Sequence, residues 1–359
     1  MSKHQKIFVG LSGGVDSSVA ALLLKQQGHD VVGVFLRCMN LDGCADADAE
    51  DARKVAEHIG IPFYSWDFEE RYRDAVVHPL IDGYRAGTTP NPDVACNKEI
   101  KFGAFLEAAR SLGGGAVATG HYARIVEEDG VTYLAQSADQ EKDQTYFLCM
   151  LEEEALRNVV FPLADLQKSE VRRIAAEAGL PTANKKDSQG ICFLGKVSLS
   201  DYLRTQLLVE PGKLLDAHGK EIGTHDGAWF YTVGQRSGFS ITGSRGSVAT
   251  PAYYVAARDI QTNTVTVVEQ DDKLLSMRSI RLTDVVTHTP VMRAAEQGIA
   301  VLARTRYRQE LAPAMLKRED SDWLLTFDRD HPIAAPGQAA VCYDQAGRVL
   351  LAGIIAEIL

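Results

Sequence analysis

The sequence predicts an α/β domain with a doubly wound parallel sheet, followed by a small central domain and a C-terminal antiparallel β-barrel. Up to Phe193, short β-rich runs alternate with amphipathic segments of helical length, which is typical of a parallel sheet wound with helices. After Phe193 glycines become frequent, and from about Val265 strand-like runs recur at short spacing, as in a barrel. At about 150 residues per domain, a chain of 359 residues holds two or three domains, which we expect at 1–196, 197–264 and 265–359.

The elements of the first domain follow from hydrophobic periodicity and from glycine positions. Lys6–Leu11 is predicted as the first strand. After a glycine turn, Asp16–Gln27 places apolar residues at helical spacing, and Gly28 is a suitable residue to end that helix. The other predicted elements are strands at Val31–Leu36, Phe63–Trp66 and Ala116–Thr119 and helices at Asp46–Ile59 and Glu99–Ser111.

The rest of the chain is predicted to be mostly β-structure, after one helix over Ser200–Leu207. The strands predicted for the barrel are Val265–Val268, Ile299–Tyr307, Ala314–Lys317, Trp323–Phe327, Ala339–Tyr343 and Val349–Ile355. Arg304, Arg306 and Arg308 alternate along one of them, and a period of two points all three to one face. That face is either solvated or in contact with nucleic acid, and the pattern does not decide between the two.

Composition excludes several classes of protein. With 45% hydrophobic and 24% charged residues, the chain can bury a core and is not disordered as a whole. A balance of 38 Lys and Arg against 48 Asp and Glu gives a net charge of −10, which argues against binding nucleic acid by bulk charge but leaves room for a local basic surface. No run approaches the ~18 apolar residues of a membrane span, and the N-terminus shows no signal or transit segment, so we expect a cytoplasmic protein with no membrane partner.

A phosphate-binding loop is predicted at Ser12-Gly-Gly-Val-Asp-Ser17, between the first strand and the first helix. The glycines allow a tight turn with N–H groups close to phosphate oxygens, the serines add hydroxyl donors, and the helix N-terminus adds partial positive charge. Asp16 would orient the loop or help to hold Mg²⁺. The alternative is a plain strand-to-helix turn, which the strand before it and the helix after it disfavour.

This loop is not a Walker A motif, because no Lys follows the glycines. The segment Gly190–Val197 does match the G-x-x-x-x-G-K pattern, but Val197 stands where Ser or Thr would bind Mg²⁺. We therefore do not expect a phosphate site at that segment.

Six cysteines are spread along the chain without a C-x-x-C pair, which indicates a reducing compartment and disfavours a zinc ribbon. Cys149 and Cys342 lie in apolar runs and are predicted to be core residues. Cys38 and Cys44 flank a loop, where packing is a more common role than chemistry.

Cys96 and Cys192 have different surroundings. Cys96 follows the turn-rich segment Pro90–Asp93 and precedes a helix predicted to start near Asn97 or Lys98, so a helix N-terminus would lower the pKa of its thiol. Cys192 lies in a glycine-bounded loop after two lysines. From the residues alone, a functional pair and two separate packing thiols are both open.

Several motifs together resemble one family. The segment Ser12–Ser17 resembles the loop of the ATP pyrophosphatase superfamily, whose members cleave ATP between the α and β phosphates to adenylate a substrate. Thr89–Phe102 and Asp187–Phe193 resemble the cysteine motifs of the tRNA-specific 2-thiouridylases, the MnmA family. The resemblance extends along essentially the whole chain through Thr119–Arg124, Lys142–Gln144 and Tyr231–Arg236. It implies a first domain that is adenine nucleotide α-hydrolase-like.

The resemblance implies ATP-dependent 2-thiolation of the wobble uridine in the anticodon stem-loop of a tRNA. ATP with Mg²⁺, and no prosthetic group, would adenylate the C2 oxygen, and a persulfide-donating sulfur-relay protein would load sulfur onto Cys192. Cys96 would be the nucleophile that leaves a Cys96–Cys192 disulfide during turnover, and Asp93 is the candidate general acid or base. An anticodon loop suits this chemistry because its bases can be splayed out of the stack.

The resemblance also assigns binding residues. The expected ATP contacts are Gly10, Leu11, Ser12, Gly13, Gly14, Val15, Asp16, Ser17, Leu36 and Gly120, with Leu36 standing where the family commonly has Met. The expected contacts to the target base are Asn91, Pro92 and Asp93. The expected contacts to the rest of the tRNA are His121, Lys142, Asp143, Gln144, Arg306, Tyr307 and Gln338.

Two other functions compete with this interpretation. An adenylating amidotransferase or ligase of the same superfamily would use the loop but no cysteine, and the motifs around Cys96 and Cys192 disfavour it. An RNA-binding module would leave the loop and the cysteines inert and would turn over no ATP, and the acidic composition disfavours it.

Overall fold

The structure is a computed structural model that describes residues 5–39, 43–186, 197–241, 252–319 and 322–359. The strands of the first domain are β1 (Lys6–Gly10), β2 (Asp30–Arg37), β3 (Phe63–Asp67), β4 (Ala116–Ala118), β5 (Arg124–Glu128), β6 (Val131–Ala135) and β7 (Val159–Val160). Five of them form a parallel sheet in the order β3-β2-β1-β4-β7, and β5 pairs with β6 in a separate hairpin. This is the doubly wound sheet that the alternation of elements predicts.

Helices cover this sheet, and two of the helical segments contain π-helical turns. The α-helices are α1 (Val15–Gln26), α2 (Cys44–Ile59), α3 (Glu69–Tyr72), α4 (His78–Ala86), α5 (Pro92–Ala95), α6 (Phe105–Ser111), α7 (Thr145–Leu148), α8 (Glu153–Leu156) and α9 (Lys168–Glu177), and the π-helical turns are π1 (Arg73–Val77) and π2 (Cys96–Ala104). Across the described ranges, no helix is both long enough and apolar enough to span a bilayer.

The order of the strands creates a crevice at the carboxyl edge of the sheet. The central strand β1 has Ile7 and Val9 fully buried, as expected for a strand covered on both faces. From β1 the chain passes through α1 to β2 on one side, whereas β4 pairs with β1 on the other side. Ligands bind parallel sheets at this kind of switch point, beyond the carboxyl ends of the strands.

The helix that carries Cys96 begins earlier than predicted. The segments α5, π2 and α6 follow one another without a gap from Pro92 to Ser111. Proline fits the first turn of a helix because no N–H is needed there, so the Pro-rich segment starts the helix rather than preceding it. Cys96 therefore lies one turn inside the helix, and its prediction as a residue ahead of the helix was wrong.

The central domain contains one α-helix, a 3-10 helix at Ala228–Phe230 and a five-stranded sheet among the described residues. Its elements are α10 (Leu199–Gln206), β8 (Gly212–Leu215), β9 (Glu221–His225), β10 (Ser240–Ile241), β11 (Tyr253–Asp259) and β12 (Thr264–Glu269), with sheet order β10-β9-β8-β12-β11. The strand predicted at Val265–Val268 exists as β12, but it pairs with β8 and β11 rather than with the barrel. We propose a domain boundary between Glu269 and Ser276, because β12 completes the central sheet.

The C-terminal domain is a closed antiparallel barrel, as predicted. Its elements are β13 (Ser276–Thr287), α11 (Thr289–Ala295), β14 (Ile299–Arg304), β15 (Ala312–Glu319), β16 (Asp322–Pro332), β17 (Ala339–Tyr343) and β18 (Val349–Ile358), with barrel order β13-β16-β15-β14-β17-β18. The expected arginine face is absent from the described strand, because β14 ends at Arg304. Arg304 is 4% exposed, whereas Arg306 and Arg308 lie beyond the strand and are exposed.

The Cys96 helix packs against all three domains. Val94 and Phe102 belong to a buried cluster that includes Val341 of the barrel. Cys96 and Ile100 belong to a second cluster, with residues of the central domain. The position of this helix therefore depends on contacts that the first domain does not supply alone.

Candidate active site

The predicted phosphate loop lies at the carboxyl edge of the sheet, between β1 and α1. Gly13 has a φ of +70°, and a Cβ at this position would collide with the carbonyl oxygen of Asp48, so glycine is required. Ser12 donates its N–H to Ser17 Oγ at 3.2 Å, and the two hydroxyl oxygens are also 3.2 Å apart. Gly14 is the N-cap of α1 and provides no side chain to cap it. Such a loop is preorganised, and its helix N-terminus suits an anion.

Two residues from distant parts of the chain hold Asp16. Lys168 Nζ donates to the two carboxylate oxygens at 2.7 and 2.8 Å, and the Tyr122 hydroxyl donates to Oδ1 at 2.9 Å. This geometry fits the first role considered for Asp16, which is to orient the loop. A Mg²⁺ ion at this carboxylate would have to displace the Lys168 ammonium.

Lys168 is a residue that the sequence analysis missed. It is the first residue of α9 and lies 152 positions from Asp16, so no local motif connects the two. Its ammonium places a positive charge beside a loop that lacks the Walker A lysine. Only the fold brings this charge to the loop.

Gly120 and His121 border the same crevice after β4. A Cβ at Gly120 would lie 2.5 Å from the backbone nitrogen of Ser17, so the main chain after β4 approaches the loop very closely. His121 Nδ1 lies 2.7 Å from Thr119 Oγ1, and its ring centroid is 5.8 Å from that of Phe102. Burial, with the charge of Lys101, lowers the pKa of His121 well below its ordinary value, so the ring is neutral near pH 7.

Leu36 lies at the carboxyl end of β2, which is the neighbour of β1. The predicted ATP contacts after β1, near the end of β2 and after β4 are therefore on one edge of the sheet. The arrangement fits a nucleotide, because three adjacent strands contribute to one crevice and the glycine-rich main chain lines it.

The residues predicted to meet the target base form the start of the Cys96 helix. Asn91 Oδ1 accepts hydrogen bonds from the N–H groups of Asp93 at 3.0 Å and Val94 at 3.3 Å, which is an N-cap. Pro92 is buried at the first helical position, and Asp93 is half-buried. Burial raises the pKa of Asp93, while Lys101 acts in the opposite direction. A carboxyl group with a raised pKa is suited to proton transfer near pH 7.

Cys96 is 1% exposed and is not part of a disulfide within the described ranges. Cys192 lies outside the described residues, so the Cys96–Cys192 pair stays a prediction. Cys149 and Cys342 are 3% and 0% exposed, and burial raises the pKa of each thiol to about 12. Their predicted role as core residues is confirmed.

Lys185 is one of the two lysines that precede Cys192 in the sequence, and its charge is paired within the protein. Lys185 Nζ lies 2.7 Å from both Asp48 Oδ1 and Asp51 Oδ2. Burial acts to lower the pKa of Lys185, but the hydrogen bonds to the two carboxylates outweigh it and the pKa is raised. The charge of Lys185 is thus neutralised by α2, and it does not support a lowered pKa at Cys192.

The segment Lys142–Gln144 is fixed by interactions within the protein. Asp143 is 2% exposed and forms an ion pair with Arg304, and its carboxylate also accepts a hydrogen bond from the Thr145 hydroxyl at 2.7 Å. Gln144 Oε1 accepts the N–H of Tyr122 at 2.9 Å. The Asp143 carboxylate is therefore engaged inside the protein, and a contact of this residue with tRNA stays a prediction.

The predicted tRNA contacts of the barrel lie close to the other two domains. Arg306 donates to the carbonyl of Ile333 at 2.6 Å, and Tyr307 packs its ring 4.4 Å from that of Phe147. Gln338 Nε2 donates to the carbonyl of Thr89 at 2.6 Å. Gln338 thus touches the chain that leads into Asn91.

Comparisons with known proteins match all three parts of the chain. Three protein-family models cover residues 5–196, 200–269 and 278–355, and they are described as a tRNA methyl transferase HUP domain, a tRNA methyl transferase PRC-barrel domain and an aminomethyltransferase beta-barrel domain.

Curated relatives are similar over nearly the whole chain. A tRNA-specific 2-thiouridylase MnmA of Lacticaseibacillus paracasei is 46% identical, with 94% of this chain and 91% of the relative covered. Proteins of the same name from Lactococcus lactis subsp. cremoris (strain MG1363) and Streptococcus agalactiae serotype III are 43% and 44% identical, with 98% and 95% of this chain and 95% and 92% of the relatives covered.

Solved structures are more distant. A 4-thiouridine synthetase–RNA complex with bound ATP shares 19% identity at a TM-score of 0.35, with 56% of this chain and 50% of that chain covered, which supports no functional inference. The curated relatives, at 43% to 46% identity, decide the family although the family models carry methyl transferase names. The chain is an enzyme of the tRNA-specific 2-thiouridylase family.

Proposed function

We propose that this protein catalyses the ATP-dependent 2-thiolation of the wobble uridine of tRNA. The observation that carries the proposal is that the phosphate loop and the Cys96 helix border one crevice. The phosphate loop touches Gly120, and the next residue, His121, contacts the Cys96 helix through Phe102. The charge of Lys101 also acts on the pKa of both His121 and Asp93, which indicates that these two side chains lie near one another. We infer that a nucleotide in the loop and a base at Asp93 would share one crevice, as transfer of an adenylyl group requires.

At the nucleotide end, the loop from Ser12 to Ser17 would hold the phosphates of ATP. The α1 N-terminus would stabilise their negative charge, and the Lys168 ammonium would neutralise the Asp16 carboxylate, which would otherwise repel them. Mg²⁺ would neutralise the phosphates and keep mostly phosphate and water ligands, because Lys168 already occupies Asp16.

At the base end, Asn91, Pro92 and Asp93 would receive the flipped uridine. The C2 oxygen attacks the α-phosphorus of ATP, the bond to the β-phosphate breaks, and pyrophosphate leaves. Asp93 is the candidate to accept or return the N3 proton of the base during this activation, since burial raises the pKa of its carboxyl and makes it a stronger base than an exposed aspartate. The adenylated oxygen is then a good leaving group.

Sulfur transfer would use the two cysteines of the family motifs. A donor protein first transfers its persulfide sulfur to Cys192. In the direct route, the terminal sulfur of that persulfide attacks C2 and AMP leaves, after which the Cys96 thiolate attacks Cys192 Sγ and breaks its bond to the transferred sulfur. The products are 2-thiouridine and a Cys96–Cys192 disulfide, which an external thiol reductant returns to two thiols. In the alternative route the attack by Cys96 precedes attack on C2 and releases sulfide.

A cytoplasmic location also remains our prediction, because this cycle needs a reducing environment and the six cysteines show no disulfide framework in their spacing. A ligase of the same superfamily would have no use for the Cys96 motif. A passive RNA-binding module would have no use for the preorganised loop.

The test is a thiolation assay with purified protein, ATP, Mg²⁺, tRNA and a persulfide source. We expect the wild type to form 2-thiouridine at the wobble position together with AMP, and Cys96→Ala and Cys192→Ala to lose persulfide-driven thiolation. Cys149→Ala is the matched control, because Cys149 is buried in the core. Full activity in both cysteine variants would refute the cysteine roles, and wild-type protein that forms no AMP would favour the binding module.

A further inference from the structure

The turn between α4 and α5 leads directly into the residues proposed to do chemistry. Gly87 ends α4 in a left-handed conformation with φ of +83°, and the N–H of Thr88 donates to the carbonyl of Gly83 at 2.8 Å. Pro90 packs so closely on Gly83 that a Cβ there would collide with its ring. Asn91 follows and caps the helix of Asp93 and Cys96. We call residues 87–91 the 87–91 turn.

Arg258, in β11 of the central domain, spans this turn. Its NH2 group donates to the carbonyl of Gly87 at 3.0 Å and to the hydroxyl of Thr89 at 2.9 Å. Its NH1 group donates to the carbonyl of Tyr231 in its own domain. A guanidinium can make these bonds together because its donors are held in a rigid planar fork, which an ammonium lacks.

The motif Tyr231–Arg236 is hydrogen-bonded to the strand that carries Arg258. The N–H of Gly234 donates to the carbonyl of Val255 at 2.7 Å, and the N–H of Val255 donates to the carbonyl of Gln235 at 2.9 Å. These bonds tie the motif to β11, three residues before Arg258. Thr232 Oγ1 also lies 3.5 Å from Thr89 Oγ1. The motif Tyr231–Arg236 has no role in the proposed chemistry. These contacts indicate that it stabilises the interface between the central domain and the 87–91 turn.

The barrel holds the same turn through its main chain. The N–H of Thr89 donates to the carbonyl of Pro336 at 2.8 Å, and the carbonyl of Thr89 accepts from Gln338 Nε2 at 2.6 Å. Thr89 is 5% exposed, and its N–H, carbonyl and hydroxyl are each bound by a residue from another domain. Of these partners, Arg258 is the one that holds both Gly87 and Thr89 with its side chain.

We propose that Arg258 is a positioning residue for thiolation, acting through the 87–91 turn to place Asp93 and Cys96 at the crevice. The inference rests on the proposed function, because it concerns the placement of residues that function uses. Loss of the fork would free Gly87 and Thr89 on one side and let the start of the helix shift. A shift of about 1 Å in a reacting group lowers turnover by about 100-fold without removing any catalytic side chain.

The experiment compares Arg258→Gln and Arg258→Lys with a matched control, Arg204→Gln. Arg204 lies in the same domain and is similarly half-buried, but its guanidinium pairs with Asp226 and not with the turn. Two readouts are measured on the full chain: steady-state thiolation with ATP and tRNA varied, and the alkylation rate of each cysteine by a small maleimide, followed by peptide mass spectrometry. The second readout requires no activity.

For Arg258→Gln we expect kcat to fall by about 10- to 100-fold with KM for ATP unchanged. We also expect Cys96, at 1% exposed in the wild type, to be alkylated several times faster, while Cys149 and Cys342 keep their slow rates because the fold is intact. Arg258→Lys should retain an intermediate kcat, because its ammonium keeps the charge and one donor nitrogen but cannot bridge the partners of both guanidinium nitrogens. This variant provides the test if Arg258→Gln does not fold.

Wild-type kcat and wild-type alkylation of Cys96 in a folded Arg258 variant would overturn the inference. So would an equal loss in Arg204→Gln, or equal acceleration at all three cysteines, since either result would mean general loosening of the structure. If wild-type protein forms no 2-thiouridine, the proposed function fails, and the alkylation rates decide separately whether Arg258 places the Cys96 helix.

Discussion

Lys168 Nζ holds both carboxylate oxygens of Asp16, at 2.7 and 2.8 Å, although the two residues are 152 positions apart. Asp16 is in the first turn of α1, and Lys168 is the first residue of α9. The phosphate loop therefore has a cation beside it without having one in its own motif. The pair lies beside the helix N-terminus, where a phosphate is expected to bind.

Replacing Lys168 with Ala is expected to weaken the use of ATP by about 10- to 100-fold, because a charge-assisted hydrogen bond contributes about 1.5–3 kcal/mol and the Asp16 carboxylate would then repel the phosphates. The measurement is KM for ATP and the rate of AMP release in the thiolation assay. Arg173→Ala is the control, since Arg173 lies on the same helix in an exposed pair with Glu177. Equal kinetics in the two variants would exclude Lys168 from the nucleotide site.

Asp93→Asn is expected to lower thiolation by about 100- to 10,000-fold, the range for loss of a general acid or base. The same change should stabilise the protein near pH 7. Burial raises the pKa of Asp93 in the folded state above its ordinary 3.8, so the wild type has its full stability below that value and loses part of it as pH rises through the folded pKa. Asn does not ionise and avoids this loss.

The check on Asp93 is thermal unfolding of wild type and variant at about pH 7.5 and about pH 4, where the gain in Tm of Asp93→Asn should shrink at the lower pH. Asp82→Asn serves as control, because Asp82 is exposed and pairs with Arg85. If Asp93→Asn were less stable than wild type at neutral pH, the Asp93 carboxylate would make a net favourable interaction in the folded state, and burial would not destabilise it.

Local chemistry was sufficient to predict the loop and the sheet. Gly13 permits the positive φ of the turn, and the apolar run before it specifies a strand, so the prediction of Ser12–Ser17 required no knowledge of distant residues.

The predicted start of the Cys96 helix was wrong, because a Pro-rich segment favours a turn as readily as a first helical turn. Arg304 was misplaced on an exposed face because alternation alone does not show where a strand ends or which residue pairs with Asp143. Lys168 and Arg258 gave no local signal, since their partners lie far away in the sequence.

The buried pair between Asp143 and Arg304 leads to a prediction about stability. Asp143→Ala should destabilise the protein by about 3–5 kcal/mol, because it leaves the Arg304 guanidinium buried without its counter-charge. Urea unfolding measures the effect, with Glu177→Ala as the control. Glu177 belongs to an exposed pair, so its loss should cost less than about 1 kcal/mol. If Asp143→Ala kept wild-type stability but lost affinity for tRNA, the carboxylate would be a tRNA contact after all.

Gly337 and Gly347 allow a comparison of two glycines in the barrel. Both have positive φ, +92° and +80°. A Cβ at Gly337 would lie 2.8 Å from the backbone nitrogen of Thr89, whereas a Cβ at Gly347 would lie 2.9 Å from the side-chain oxygen of Gln136, which can move aside. Each Ala variant should lose about 1–2 kcal/mol of stability from the left-handed backbone.

Only Gly337→Ala should impair thiolation, because it pushes on the 87–91 turn from the barrel side and shifts the helix of Asp93 and Cys96. We expect a fall in kcat of about 10-fold or more, with ATP affinity preserved. The two variants are compared at a temperature well below both unfolding midpoints, so that the fraction folded is equal. Equal kcat in Gly337→Ala and Gly347→Ala would mean that the barrel stabilises the enzyme without setting the position of the turn.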